Sequence, residues 1–377
     1  MKEIIQEKDI SGTSEIKIKR NYGIDLLRLF AMYLVTVLHV LGQGGILSSA
    51  QGSQYMVSWL FEIIAYCAVN CFAIVSGYVS FTEKEKTYRY SKYISMWLQV
   101  VFYSFGINVM YYCMTRDIVT TEVLLKSLCP VTTYHYWYFT AYTGVFFMIP
   151  WMNKFVRACT EKEMTKFVGI LFAVFSCYAT CASRINDVFR LGGGYTFLWL
   201  ALMYLVGAWM KKCSIADKVS NAKAFICLEI CVLLTWTIKI FKENNIFVSY
   251  ISPTIVLLAV CFVILFSKMR FGSMGEKIIR FFAPAAFGVY LIHVQQTVWG
   301  QLMAWRFAEC AQSPLWLLPI QILGNAAFVF LLCLLIEKAR ILLFKRLHIN
   351  ENAEKVCCLI GIKCTEIIKG KGGRKNE

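Results

Sequence analysis

The sequence predicts an all-α protein, a polytopic membrane helix bundle of about ten transmembrane helices with both termini in the cytoplasm. Three observations predict it. Of the 377 residues, 58% are hydrophobic and only 16% are charged. In a soluble domain about 45–50% of the residues are hydrophobic and about 25% are charged. Apolar runs near 20 residues, long enough to cross a bilayer, recur along the chain. The lysines and arginines are concentrated in alternate loops.

Ten apolar segments are predicted to be the spans, because of their length and their lack of charge. They lie at about 24–45, 57–80, 93–114, 136–153, 166–183, 195–210, 223–242, 248–267, 281–303 and 314–337. The first 22 residues are polar and basic and show no signal-peptide pattern, so the first span is expected to remain in the mature protein. We expect a basic tail at 1–22, a transmembrane domain at 23–338 and a second basic tail at 339–377.

The basic residues predict the topology. With a cytoplasmic N-terminus, 31 of the 39 lysines and arginines fall on the cytoplasmic side, as the positive-inside rule requires. The net charge of +16 therefore reflects membrane orientation, and we expect no nucleic-acid partner. The C-terminal tail is expected to contact anionic membrane lipid.

The sixteen cysteines do not indicate a metal site. Most lie inside predicted spans, where cysteine acts as a small apolar residue. No cysteine or histidine pattern has zinc spacing, so we expect no metal. Cys129 and Cys310 both map to the outer side, and the sequence leaves open whether they pair.

Three polar residues form a stripe on the first span, "GIDLLRLFAMYLVTVLH". Arg28 and His39 are 11 residues apart, about three helical turns or ~16 Å, and so share one face. Asp25 lies on that face three residues before Arg28. Because an Asp or Arg at a helix centre costs roughly 2.5–3.5 kcal/mol, the stripe should face the bundle interior or a water-filled cavity. The alternative is that Arg28 snorkels and pairs with Asp25 while His39 only packs.

Other polar groups are expected to converge on this face. His293 ends "FGVYLIH", and "YHYWYFTAY" places His135 beside aromatic residues that either stack on substrate or form an interfacial belt. "VNCFAIVSGY" carries a serine and a tyrosine, and its alternative role is small-residue packing in which Gly77 permits close helix approach. Glu337, near the end of the last span, is expected to be paired. The candidate substrate-binding residues are Asp25, Ser76, Tyr78, His135, Trp137, Tyr138 and His293.

Four ordered stretches resemble the bacterial acyltransferase-3 family of integral-membrane acyltransferases. They are the Arg-x10-His stripe of "IDLLRLFAMYLVTVLH", then "NCFAIVSGYVSF", "HYWYFTAYTGVFFMIPWMNKF" and "AFGVYLIHV". Their order and spacing agree over about residues 20–340. Glu337-Lys338 also resembles a Glu-Lys pair that closes the last span in the family.

The resemblance implies a ten-helix enzyme of the bacterial plasma membrane. Its donor would be an acyl-CoA bound from the cytoplasm, commonly acetyl-CoA, and its acceptor a cell-surface glycan or lipid-linked saccharide. His39 would be the catalytic histidine and Arg28 its partner on the donor side. Many members carry an Arg-x-Arg cluster after the second span, whereas "TEKEKTYRYSKY" stands here. The candidate CoA-phosphate contacts, besides Arg28, are Lys84, Lys86, Arg89 and Lys92.

The expected reaction is transfer of an acetyl group to a hydroxyl, with His39 as the base and Arg28 as a fixed positive charge. An acyl-histidine relay is a variant. Ser76 is not expected to be a nucleophile, because "SGY" is no Gly-x-Ser-x-Gly elbow. Many members also carry a fused extracytoplasmic hydrolase-like domain, which we do not expect in this chain. A second transfer step is therefore expected to need another protein. The alternatives are a transporter or exporter of a glycan or small metabolite, and a membrane partner that assembles a complex.

Overall fold

The computed structural model describes residues 20–85, 88–115 and 118–356, and over these ranges the chain forms helices and loops without a β-strand. The all-α prediction is confirmed for this part of the chain. The α-helices are α1 Tyr22–Leu41, α2 Ile46–Ser49, α3 Gly52–Tyr66, α4 Ala68–Ser80, α5 Ser91–Met114, α6 Thr121–Lys126, α7 Trp137–Ala158, α8 Glu161–Leu171, α9 Ala179–Ala182, α10 Phe197–Lys212, α11 Ile215–Lys218, α12 Asn221–Phe241, α13 Pro253–Ser267, α14 Ser273–Phe282, α15 Ala286–His293, α16 Gln296–Val298 and α17 Leu318–Arg346.

Short irregular turns connect several of these helices. Two π-helical turns cover Phe172–Tyr178 and Trp299–Met303, and 3₁₀ turns cover Gly192–Gly194, Ala283–Ala285 and Ala308–Gln312. The first π turn joins α8 to α9. The second continues α16, the short helix that follows the one carrying His293.

Among the described residues, six helical runs are long and apolar enough to cross a membrane, as expected of a multi-pass membrane protein. They are Tyr22–Ser49, Gly52–Ser80, Ser91–Met114, Glu161–Ala182, Asn221–Phe241 and Leu318–Arg346. A seventh span is formed if Ser273–His293 and Gln296–Met303, which meet at an angle of 61°, cross together. The predicted spans at 136–153, 195–210 and 248–267 fall on the helices α7, α10 and α13. The total of ten spans and the orientation of the termini stay predictions.

The first helix lies inside the bundle, which is why it tolerates polar residues. It packs against α3, α4, α13, α15 and α17. Asn21 caps its start by accepting a hydrogen bond from the Ile24 N–H, and its amide donates to the Ser267 carbonyl at the end of α13. A Cβ on Gly23 would lie 1.8 Å from the Phe266 carbonyl oxygen. Only glycine therefore fits this crossing.

Helices α4 and α10 also pack with their backbones in close contact. A Cβ on Gly77 would lie 1.9 Å from the Tyr204 carbonyl oxygen, and one on Gly207 would lie 1.8 Å from the Ile74 carbonyl oxygen. Each glycine thus receives the backbone of the opposite helix, the small-residue packing expected in membranes. The contact fixes the position of α4, which carries Ser76.

A buried carboxylate joins the last helix to α5 and α15. Glu337 accepts hydrogen bonds from Arg340 at 2.6 Å, from the Tyr103 hydroxyl at 2.7 Å and from the Gln99 amide at 3.0 Å. A Cβ on Gly288 would lie 2.3 Å from its side chain. Glu337 is therefore paired, as expected, but inside the bundle, where an unpaired carboxylate would be costly.

Candidate functional site

One cavity is lined by Arg28 and His39, two of the three residues of the polar stripe. Its volume is about 320 Å³, near the lower end of the roughly 300–1,000 Å³ typical of ligand pockets. Arg28 and His39 both line it, so the helical spacing places them on one interior face as predicted. Apolar side chains of α1, α4, α5 and the 283–287 segment form much of the wall. Its other polar or aromatic members are Phe72, Ser76, Trp137, Tyr138, Phe139, Tyr142, Tyr250, Phe287 and Tyr290.

At one end of the cavity, Asp25 holds Arg28. The Arg28 Nη1 atom lies 3.1 Å from Asp25 Oδ1, and the Arg20 Nε atom lies 2.5 Å from Asp25 Oδ2. Asp25 is buried and does not line the cavity, whereas the Arg28 side chain is 34% exposed. Asp25 therefore restrains a cation that faces the cavity, and the structure gives it no contact with the cavity space.

At the other end, a chain of two hydrogen bonds orients His39. The His39 Nδ1 atom lies 2.8 Å from His293 Nε2, and the His293 Nδ1 atom lies 2.6 Å from the Val289 carbonyl oxygen. Because a carbonyl only accepts, His293 Nδ1 must carry its proton. The Nε2 of a neutral His293 then accepts, so His39 Nδ1 is the donor. This leaves the lone pair of His39 on Nε2.

His293 supports His39 and does not line the cavity. It is 1% exposed, and it belongs to α15 while His39 belongs to α1. The Trp299 ring stands nearly perpendicular to the His39 ring, with centroids 4.6 Å apart. The His39 imidazole is thus restrained by a polar contact and an aromatic contact. Such an arrangement presents one ring nitrogen as a proton acceptor, the requirement for a general base.

Aromatic rings around the start of α7 form an aromatic mouth to the cavity. Trp137 and Tyr138 line the cavity. Tyr195 contacts Trp137 and Tyr250 at centroid distances of 4.6 Å and 4.9 Å. Tyr195 is 41% exposed. The rings therefore connect the cavity wall to the outside of the bundle.

The sequence prediction missed several wall residues, among them Tyr142, Tyr250 and Tyr290. Tyr142 follows Tyr138 by one helical turn, and this i, i+4 spacing was a usable signal. Tyr290 lies one turn before His293. Tyr250 stands in a loop far along the chain, and no local pattern indicates it.

Of the remaining candidates for substrate binding, only Ser76 reaches the cavity. Its hydroxyl donates to the Phe72 carbonyl at 3.0 Å. The Tyr78 ring lies 5.0 Å from Lys211 Nζ and outside the cavity wall.

His135 also lies outside the cavity wall. Its Nδ1 contacts the Thr133 hydroxyl at 2.5 Å, and its buried Nε2 has no hydrogen-bond partner among the described residues. Burial, with a smaller contribution from the charge of Lys126, lowers the pKa of His135.

The predicted CoA-phosphate contacts other than Arg28 lie on the surface. Lys84 and Lys92 are exposed, and Arg89 Nη2 lies 3.8 Å from Glu354 Oε1. None of these three residues lines the cavity. Lys86 lies outside the described residues. Contact of these side chains with CoA phosphates stays a prediction.

One comparison with known proteins covers most of the chain. An acyltransferase domain model, that of the acyltransferase-3 family, matches residues 21–338. No curated protein and no solved structure matches the chain. The matched range includes both ends of the polar stripe, both histidines of the pair and Glu337.

Proposed function

The chain belongs to the acyltransferase-3 family, and we propose that this membrane acyltransferase moves an acetyl group from acetyl-CoA to a hydroxyl of a cell-surface glycan or its lipid-linked precursor. We place it in the bacterial plasma membrane with the donor on the cytoplasmic side. One observation carries the proposal: a single cavity joins the restrained cation Arg28 to His39, whose Nε2 is left as an acceptor.

Arg28 is assigned to the donor. A guanidinium is always charged and can bind phosphate or a carbonyl through two parallel N–H groups. Its ion pair with Asp25 reduces the side-chain freedom that binding would otherwise have to remove. The apolar wall between Arg28 and His39 suits the arm of CoA, and Lys84, Lys86, Arg89 and Lys92 would receive the more distant phosphates.

His39 is assigned to the transfer step. Its Nε2 takes the proton of the acceptor hydroxyl as the oxygen attacks the thioester carbonyl. The carbon–sulfur bond then breaks, and the same proton passes to the departing thiolate. The products are an ester and free CoA, so no net proton is gained or lost. The hydrogen bond from His39 Nδ1 to His293 persists throughout and stabilises the transient imidazolium.

The aromatic mouth is assigned to the acceptor. Tyrosine and tryptophan combine an apolar ring with a polar group, and a sugar likewise has apolar C–H faces and hydroxyl edges. Trp137, Tyr138, Tyr195 and Tyr250 would stack on such a ring, with the hydroxyl to be acylated directed at His39. A glycan synthesised or exported by separate proteins would arrive at this end.

Purified protein in lipid nanodiscs, supplied with acetyl-CoA labelled in the acetyl group and with glycan acceptors, tests the proposal. We expect covalent label on the acceptor from the wild type and none from His39→Ala. His348→Ala is the matched control, because His348 is exposed and its side chain pairs with Glu351 at 2.8 Å, away from the cavity-lining residues. Transport of label without covalent transfer would favour the transporter. Neither transfer nor transport would favour an assembly role, and wild-type rates in His39→Ala would refute the assignment of the base.

A further inference from the structure

We infer that the bend after His293 is a positioning device for the His39 ring, and that Gln295, Asn108 and Tyr136 hold it. The inference rests on the proposed function, in which His39 is the base. It concerns residues that touch neither the cavity nor the substrate assigned to it. Their effect would be transmitted through His293 and Trp299.

Both side chains that restrain His39 come from the two arms of one broken helix. His293 is the last residue of the first arm, Ser273–His293, and it bonds His39 Nδ1. Trp299 belongs to the second arm, Gln296–Met303, and it packs edge-on against the same ring. The angle of 61° between the arms therefore decides whether both contacts form together.

Gln295 occupies the bend and caps the second arm. Its Oε1 accepts hydrogen bonds from the backbone N–H groups of Thr297 at 2.8 Å and Val298 at 3.0 Å. These are first-turn donors, for which a helix has no internal partner. Gln295 is buried. Its side-chain oxygen therefore replaces the water molecules that accept these hydrogen bonds at an exposed helix end.

Asn108 of α5 ties this cap to a neighbouring helix. Its Oδ1 accepts from Gln295 Nε2 at 2.7 Å and from the Thr297 hydroxyl at 2.7 Å. Asn108 is completely buried. The cap is therefore fixed to α5 as well as to its own arm, and the second arm cannot rotate without breaking both bonds.

Tyr136 satisfies the carbonyl that the bend frees on the first arm. The bend ends the regular helical bonding, since the Gln295 N–H turns to the Ile292 carbonyl at 3.3 Å. The Leu291 carbonyl, the regular i−4 acceptor for Gln295, instead receives the Tyr136 hydroxyl at 2.9 Å. Irregular backbone at membrane depth is tolerated only where such groups are satisfied. Tyr136 and Gln295 meet this requirement on the two sides of the break.

A positioning role predicts an effect on the rate of transfer and little effect on donor binding. Misplacement of a catalytic group by about 1 Å can cost about 10²-fold in rate. Gln295→Leu keeps the volume and removes three hydrogen bonds, so we expect kcat to fall about 10²-fold with KM for acetyl-CoA unchanged. Gln295→Glu keeps an acceptor for the Thr297 and Val298 N–H groups and should recover part of the loss.

Tyr136→Phe tests the same device with the removal of one oxygen atom. We expect kcat to fall about fivefold, the effect of one buried hydrogen bond. Tyr204→Phe is the matched control, because the Tyr204 hydroxyl is equally buried and donates to Asn153 Oδ1 at the same distance of 2.9 Å. Tyr204 lies at the α7–α10 contact, away from the bend. This pair of variants keeps the test decisive if Gln295→Leu fails to fold.

The second measurement is ¹⁵N NMR of histidine-labelled protein, which is practical because the chain has four histidines. We expect His39 to be protonated on Nδ1 alone in the wild type and on a mixture of nitrogens in Gln295→Leu and Tyr136→Phe. Tyr204→Phe should match the wild type. A folded Gln295→Leu with wild-type kcat, or reduced kcat with an unchanged His39 spectrum, would overturn the inference. If the wild type transfers nothing, the proposed function fails, and the spectra alone still decide whether the bend orients His39.

Discussion

Replacing His293 distinguishes a supporting histidine from a catalytic one. In the structure His293 accepts from His39 Nδ1 at 2.8 Å and donates to the Val289 carbonyl. His293→Leu removes the acceptor and leaves the His39 Nδ1 proton unpaired in the interior. The ring then gains by moving that proton to Nε2, the nitrogen assigned as the proton acceptor in the transfer step. In that tautomer His39 no longer has a lone pair for the acceptor hydroxyl.

The size of the effect follows from the cost of the unpaired donor. A buried donor without a partner costs about 1–3 kcal/mol, which lowers the population of the active tautomer about 5- to 150-fold. We expect kcat of His293→Leu to fall by that factor. His39→Ala removes the base itself and should cost the larger part of the roughly 10²–10⁴-fold that general base catalysis contributes. The two losses are therefore expected to differ in size.

His293→Gln is the conservative variant. A glutamine amide can accept from His39 Nδ1 through its oxygen and donate to the Val289 carbonyl through its nitrogen, the two roles of the imidazole. We expect it to retain more activity than His293→Leu. The assay is the initial rate of acetyl transfer in nanodiscs at saturating acetyl-CoA and acceptor. If His39→Ala keeps more activity than His293→Leu, with both proteins folded, the base is not His39 and the reasoning is wrong.

Two further predictions concern binding and packing. Asp25→Asn removes the charge that restrains Arg28. We expect KM for acetyl-CoA to rise about tenfold, which corresponds to the loss of one charge-assisted hydrogen bond, and kcat to be less affected. An unchanged KM in steady-state kinetics would contradict this role. Gly207→Ala forces a Cβ to within 1.8 Å of a carbonyl oxygen and should destabilise the bundle by about 1–3 kcal/mol. Gly324→Ala is the control and should not destabilise the bundle, because its Cβ meets nothing within 4 Å. Thermal unfolding in detergent compares the two variants, and equal stabilities would refute the packing argument.

Local periodicity predicted the part of the site that lies on one helix. Arg28 and His39 are aligned because 11 residues make about three turns, and the cost of charge in hydrocarbon directs that face inward. Neither argument needs a second helix. Helical periodicity cannot identify His293 or Tyr250, because these residues reach the site through the packing of distant segments of the chain. The hydrogen bond between His39 and His293 joins residues 254 positions apart.

The bend was not predicted, and its signal was a polar interruption of an apolar run. The sequence from 281 to 303 was interpreted as one continuous span. Proline, the usual cause of a sharp kink, occurs in it only at Pro284, about ten residues before the break. The adjacent Gln295 and Gln296 were the available signal, because a glutamine amide is expensive at membrane depth unless it is bonded. In the structure Gln295 is bonded to the backbone that the break exposes.

The two ends of the stripe should control different kinetic constants. At ~16 Å and an effective dielectric constant near 20, the charge of Arg28 would stabilise an oxyanion beside His39 by only about 1 kcal/mol. Arg28 therefore acts mainly on donor binding, and the His39–His293 pair acts on the transfer step. Sites more than about 7–10 Å apart that share no partner act additively, within about 0.3–0.5 kcal/mol. The double variant Asp25→Asn/His293→Leu should accordingly lower kcat/KM by the product of the two single effects. A loss well below that product would mean that the two ends act as one unit, and the assignment of donor binding to Arg28 and of base chemistry to His39 would have to be abandoned.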